Sequence, residues 1–553
     1  MLKNFFRKAF QVWSDPILRS WLVGRLFGRW QGEPAFTAHH PSYLSDLLPL
    51  SPESPTEHFS YLKTDKPKCT LRINLPCESV TLVPGDETKL FSQNFNDIET
   101  KLALHRFAWL TEPEKELPIE WIATIWQAWA ERHSTVDDSW VWHPYTASER
   151  AINILKFMKR FGVLGSKEKT LSILTTHATA IANRLEYFGD HHTSNHFANN
   201  GRGLFLIGLM LGLKHTTDLG GRILIEEAKR IFHSSGILRE GSSHYHILLS
   251  RNYDEVANAA KEYKRQEASI LRSIADRARA AAQILILPGG LPLVGDISPD
   301  QTPKYLLKQL GLKNISNQPS NKELSLLRGA GWYRKDVGRF SALWHAAPEG
   351  WSQMPGHGHQ DIGSFELHGN DERIFVDPGR GHYGEIGEAA LYRSAAVHNT
   401  LIIDGADPYP PNKPYYCDEF RRTYGEPFPK VEISNNTLKL THFGYKRLKG
   451  IKEVIRTWTF TNNSMDIMDT VNGRGNHKLD RVLVTPLRTE CNGNNVLLYG
   501  DNSIYRLVSD SYPTITIMPI WKSYGCSFMG TAIIFSLEEN LPWTGKMRLE
   551  SLQ

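Results

Sequence analysis

Between residues 101 and 290, one segment after another carries apolar residues at three- and four-residue spacing, and this run constrains the chain more than any other feature. EWIATIWQAWAERH, ASERAINILKFMKRFG, KTLSILTTHATAIANRLEYFG, GRGLFLIGLMLGLK and ASILRSIADRARAAAQILIL each gather their apolar side chains on one helical face. Gly-, Asp- or Ser-bearing turns separate several of them. Helices that follow one another at similar length argue against βαβ units and predict helical hairpins stacked as a solenoid or toroid.

The Gly- and Pro-rich stretch LPGGLPLVGDISPD ends that texture. Beyond it come short segments rich in β-branched and aromatic residues, such as GRFSALWHA, NTLIIDG, KEVIRTWTFTNNSMDIMDTV and KLDRVLVTPL, punctuated by Gly, Asn and Asp. These predict an antiparallel β-sandwich. The expected organisation is α+β and multidomain: a basic helix and mixed region over 1–100, a helical toroid over 101–290 and a β-sandwich over 325–553. Within the first region, CTLRINLPCESVTLV reads as a hairpin.

Charge narrows the function classes. The formal net charge is +5. Residues 1–30 account for all of it, with Lys3, Arg7, Lys8, Arg19, Arg25 and Arg29 against Asp15 alone. The rest of the chain is formally neutral and offers no global basic field, so no nucleic-acid partner is expected. The apolar residues of this first segment (Phe5, Phe6, Phe10, Trp13, Leu18, Trp21, Leu22 and Leu26) recur at helical spacing between the basic ones. That pattern suits a helix packed on the protein body or one lying on a membrane surface. The segment lacks the apolar core and cleavage site of a secretory signal, so a cytoplasmic protein is expected, with membrane association as the alternative. Five scattered cysteines without a CxxC pair indicate neither a disulfide framework nor a cysteine zinc site.

Three clusters carry chemistry. In HHTSNHFANNGRG, Asn195 and His196 open an apolar helix, where free backbone N–H groups favour anions; the alternative is that Ser194 or Asn195 is only an N-cap. In LREGSSHYHILLSRNYDE, Glu240, Ser242, Tyr245 and His246 stand together, and Tyr245 is either a packed side chain or a proton-transfer group. In MPGHGHQDIGSFELHGNDERIFVDPG, His357 and His359 flank a glycine, with Asp361, Asp377 and then His398 further on. Two histidines and an aspartate suit Zn²⁺, but structural and catalytic readings of the pair remain open here.

Taken in order, these clusters resemble the heparinase II/III-like polysaccharide lyases. LALHRFAWL, WHPYTASERAINILKF, SNHFANNGRGLFLIG, EGSSHYH, HGHQDIGSFEL, IFVDPG and AAVHNTLIIDG are similar to successive parts of that family. The resemblance implies an incomplete (α/α) toroid followed by a β-sandwich, acting on an acidic polysaccharide by β-elimination. It implies that Asn195 and His196 hold the uronate carboxylate, that Tyr245 and His357 are the acid/base pair, and that His359, Asp377 and His398 bind a structural Zn²⁺. A tyrosine with a pKa near 10 needs a neighbouring cation to act as a base at neutral pH, and His196, His246 or Arg202 are the candidates. The competing classes are a catalytically silent glycan-binding or assembly protein on the same fold, and a zinc hydrolase using His359, Asp377 and His398.

Overall fold

The computed structural model describes residues 12–13, 15–30, 40–111, 118–189, 194–312, 319–351, 356–413 and 415–552. Of the basic N-terminal segment, residues 1–11 and 14 therefore lie outside the described residues. Helix α1 (Pro16–Leu26) starts on an Asp15 N-cap. It packs Trp21 edge-on against Tyr416 and Phe420, with ring centroids 5.4 and 5.1 Å apart. Its far face leaves Leu26 85% exposed, and Phe27, which follows the helix, is 86% exposed. No helix among the described residues is long and apolar enough to cross a membrane.

The hairpin read from the sequence forms as β1 (Leu71–Asn74) and β2 (Ser79–Leu82). The longer helices then run α2 (Ile98–His105), α3 (Ile119–His133), α4 (Pro144–Phe161), α5 (Lys167–Ala182), α6 (Asn195–Leu211), α7 (Lys214–Ile231), α8 (Ser243–Glu262) and α9 (Ala268–Leu285). Helix α6 is buried along nearly its whole length, because small residues let its neighbours come close. A Cβ at Gly203 would meet Ser148 of α4 at 2.5 Å, and one at Gly201 would meet Ile223 of α7 at 2.6 Å. Any larger residue there would push these helices apart.

Every ladder in the β half is antiparallel. One sheet has eight strands, including Ile451–Phe460, Ser464–Gly473 and Trp543–Ser551. Two sheets of four strands accompany it. The strands Glu372–Phe375 and Asn476–Thr485, one from each smaller sheet, adjoin where Val376 N donates to Val484 O at 2.9 Å. In Ile451–Phe460, alternate residues Val454, Arg456, Trp458 and Phe460 are buried, as expected of a strand with one solvated face. Trp458 and Met547 of the large sheet share a core with Trp344, Phe365 and Phe535 of the smaller ones, which makes the sandwich. A second core spans both halves of the molecule, uniting Leu248, Ile274 and Leu285 with Leu343, Val376, Val482 and Trp521. The residues singled out in the sequence gather along this seam.

Candidate active site and metal site

Helix α6 begins where Ser194 caps it, its hydroxyl accepting from His196 N at 3.3 Å. The cap role falls to Ser194, which leaves the Asn195 amide for other partners. Glu240, buried just before α8, clamps Asn195 twice: Oε1 accepts from its backbone N at 2.7 Å and Oε2 from Nδ2 at 2.9 Å. A carboxylate only accepts when ionised, so this contact fixes which end of the Asn195 amide faces it. The second N–H of Nδ2 then points at His357 Nε2, 3.0 Å away.

That donor makes His357 Nε2 an acceptor, so the ring proton sits on Nδ1, where it donates to Asp296 Oδ2 at 3.0 Å. The loop bearing Asp296 is seated by its backbone: Asp296 N donates to His357 O at 2.8 Å, and Ser242 Oγ donates to Asp296 O at 2.7 Å. Three segments converge at Gly295, whose φ is +77°; a Cβ there would lie 2.6 Å from Gly241 O and 2.7 Å from His357 O. Only glycine fits both the backbone conformation and the space.

Helix α8 is capped by Ser242, whose hydroxyl accepts from Tyr245 N at 3.1 Å. This aims the Tyr245 ring flat onto His357, with centroids 3.5 Å apart and planes at 7°. Its hydroxyl lies 2.7 Å from that of Tyr383, which in turn donates to Ile297 O at 2.9 Å. Tyr383 has one proton to give, so Tyr245 is the donor in their shared bond. Burial holds the Tyr245 phenol well above its ordinary pKa; Asp300 and Asp296 add to the effect and the bond to Tyr383 opposes it.

His196 is turned toward a different set of partners. Its Nδ1 meets Glu186 Oε1 at 2.6 Å, and its ring lies 4.7 Å from that of Tyr145. Burial would lower its pKa, but the Glu186 carboxylate outweighs this and raises it. Glu186 is shifted the opposite way, below its ordinary value, since His196 overcomes the burial that would raise it. The Glu186 carboxylate thus favours the charged imidazole, while the His196 side chain stays 41% exposed.

The second cluster adjoins the first. His359 Nε2 donates to the other oxygen of Asp296 at 2.9 Å, while Arg380 Nη1 donates to that same oxygen at 3.0 Å. His398 Nε2 donates to Tyr392 O at 3.2 Å, and its Nδ1 lies 2.9 Å from Asp377 Oδ2. One ligand atom each from His359, Asp377 and His398 fall within 4.8 Å of one another. His359 Nδ1 is buried without a hydrogen-bond partner, and so is Asp361 Oδ2. Burial pushes the Asp361 carboxyl up to about 7, while Asp377 raises His398 to about 9 against its own burial. Both histidines thus anchor one ring nitrogen on an oxygen and turn the other inward, the usual arrangement around a metal. The residues fit a Zn²⁺ ion.

Residues 319–523 match the family described as heparinase II/III-like, C-terminal. This region is similar to a heparinase II/III-like C-terminal domain. The chain is also similar in fold to the solved structure of heparinase III, at a TM-score of 0.62 and 15% identity, with 84% of this chain and 79% of that one covered. The heparan sulfate lyase HepC from Pedobacter heparinus gives 0.51 and 18%, covering 83% and 78%. A sequence comparison with curated proteins finds no match. The helical toroid with antiparallel sheets is therefore the heparinase lyase fold.

In this heparinase-like chain, Asn195, Tyr245 and His357 form one contact group, with His196 one residue away facing Glu186. Of the three cations expected beside Tyr245 (His196, His246 or Arg202), two are engaged elsewhere. Arg202 is paired with Glu149 and Glu255. His246 is tied through both nitrogens to backbone, accepting from Leu238 N and donating to Ala278 O, and burial lowers it to about 4. Asp296 and Tyr383 were not singled out from the sequence. Asp296 lies in the stretch read as a boundary, and Tyr383 in a loop without periodicity.

Proposed function

We propose that this chain is a polysaccharide lyase that cuts an acidic, uronate-containing glycan by β-elimination, leaving a 4,5-unsaturated uronate. The observation that carries the reading is the meeting of Asn195, Tyr245 and His357. They come from three distant segments and make direct contact at the seam of the two halves. Packing alone does not require this, and such seams are common places for ligand sites.

The difficulty of the reaction explains the residue types. Removing the C5 proton of a uronate places further negative charge beside its carboxylate. Asn195 Nδ2 and His196 would donate to that carboxylate as charge develops, and preorganised donors of this kind are each worth about 3 kcal/mol. A carboxylate that takes the Asn195 N–H now given to His357 releases the Nε2 lone pair of His357. That lone pair accepts the C5 proton, and Asp296 behind Nδ1 offsets the charge of the imidazolium. The C5–H electrons become the C4–C5 double bond as the C4–O4 bond breaks. Tyr245, whose proton burial retains, gives that proton to O4.

We assign a structural Zn²⁺ to His359, Asp377 and His398. Bound there it would supply cross-linking rather than Lewis-acid chemistry, fixing His359 and through Asp296 the position of His357. The test of the function is absorbance: the purified protein, incubated with a panel of uronate glycans, should generate the ultraviolet absorption of an unsaturated uronate. Binding to such glycans without any new chromophore would overturn the lyase reading and leave a glycan-binding protein on the same fold.

A further inference from the structure

A second group of ligand-type side chains lies apart from the site described above. Cys77 sits in the turn between β1 and β2, Asp97 caps α2, and His382 lies in the loop that follows the strand Glu372–Phe375. One ligand atom from each falls within 4.8 Å of the others. Cys77 Sγ and His382 Nδ1 are 3.6 Å apart. A tetrahedral zinc ion with Zn–S about 2.3 Å and Zn–N about 2.0–2.1 Å separates its sulfur and nitrogen ligands by about 3.6 Å. The pair already stands at the spacing such an ion would impose.

The ligands are also held from behind. Asp97 Oδ2 accepts from Thr100 N at 2.7 Å and from Thr100 Oγ1 at 2.8 Å, while Oδ1 accepts from Tyr524 OH at 3.0 Å. Cys77 N donates to the same Thr100 Oγ1 at 3.2 Å, which fixes the turn relative to the helix cap. The His382 ring stands edge-on to Trp521 and Tyr524, with centroids 4.9 and 5.8 Å away. Outer partners of this kind orient ligands before an ion arrives. All three residues are only partly buried, so an ion has a route in.

We propose that Cys77, Asp97 and His382 form a second divalent-metal site, selective for a borderline cation such as Zn²⁺ or Co²⁺. A thiolate and an imidazole favour such ions over Mg²⁺ and Ca²⁺, which take oxygen ligands. Three protein ligands leave a fourth position for water. The ion ties the β1–β2 turn and the start of α2 to the loop carrying Tyr383, so it cross-links the first hundred residues to the β half.

Cobalt distinguishes this site from the other. His359, Asp377 and His398 include no sulfur, so cobalt bound there gives no thiolate charge-transfer band. Metal-free protein titrated with Co²⁺ should develop that band in the near ultraviolet, and Cys77→Ser should abolish it with the circular dichroism spectrum unchanged. His382→Gln keeps the thiol and should weaken the band's apparent affinity by more than the roughly 10- to 100-fold that loss of an outer partner costs a metal site. If Cys77→Ser does not fold, His382→Gln carries the test alone. No band in the unaltered protein, a band that survives in a folded Cys77→Ser, or one with the same affinity in His382→Gln would each overturn the proposal.

Discussion

His357 and His359 share one carboxylate: Asp296 accepts from His357 Nδ1 through Oδ2 at 3.0 Å and from His359 Nε2 through Oδ1 at 2.9 Å. The histidine assigned to proton transfer and the one assigned to the metal are thereby oriented by a single buried side chain. Burial alone would raise the Asp296 carboxyl, but its bonds to His357 and His359 hold it well below the usual range. Asp296→Asn replaces one acceptor oxygen with a donor facing an N–H. It should therefore lower zinc affinity by about 10- to 100-fold and reduce kcat as well. Zinc content and turnover measured on the same preparations decide this; loss of one without the other would separate the two sites.

Tyr245→Phe removes one hydroxyl and leaves the stack on His357. It should lower kcat by about 10² or more with a modest change in KM, because the lost group acts only as the leaving oxygen departs. Stability should fall by no more than about 1 kcal/mol, the net worth of one hydrogen bond. Steady-state kinetics on the best uronate substrate, with denaturant melts alongside, provide the check. A fully active Tyr245→Phe enzyme would remove Tyr245 from the mechanism.

The His196–Glu186 pair gives a pH dependence. The His196 pKa is raised above its ordinary 6.5, so its stabilising contribution is complete below about 6.5 and fades as pH rises through the folded value. The Glu186 pKa is lowered from 4.5, so its contribution is complete above about 4.5 and fades as pH falls through the folded value. The stability difference between the unaltered protein and His196→Gln should thus be largest between about pH 4.5 and 6.5 and shrink on either side. Denaturant unfolding across pH 3–9 measures it, and a difference independent of pH would show that the pair is not ionic.

The fold was legible where a period repeats. The three- and four-residue spacing of α3 through α9 and the alternation in Ile451–Phe460 both follow from burying one face of a regular element. The residues proposed for the site stand in short strings that resemble a known family, and the structure brings Asn195, Tyr245 and His357 among them into contact. Asp296 was not, since its role depends on where the 288–301 loop meets residues 242 and 357, and nothing local to GDISPD encodes that meeting. Glu240 was visible as a neighbour of Tyr245, but its clamp on Asn195 spans 45 positions. Tyr383 reaches Tyr245 across 138 positions. Arg202, one of the cations expected beside Tyr245, is engaged elsewhere for a related reason: it is close in sequence to Asn195, yet α6 carries it toward Glu149 and Glu255.

The proton arrangement at His357 depends on Glu240, and that dependence can be tested directly. As an acceptor at both oxygens, Glu240 fixes the Asn195 amide so that Nδ2 faces His357 Nε2. Glu240→Gln has nearly the same shape but presents one N–H₂ group. With that group opposite the Asn195 side chain, the amide turns over and Asn195 Oδ1 faces His357 instead. The imidazole must then carry a proton on Nε2 to satisfy that oxygen, while Nδ1 keeps its proton against Asp296. The ring becomes an imidazolium, and the lone pair that would take the C5 proton is lost. Activity near neutral pH should fall toward the 10²- to 10⁴-fold that a positioned base contributes. Nitrogen chemical shifts of the His357 ring should show Nδ1–H alone in the unaltered protein and both nitrogens protonated in the variant. Unchanged activity together with an unchanged ring spectrum would mean that Glu240 only packs against Asn195 and does not set the proton arrangement at His357.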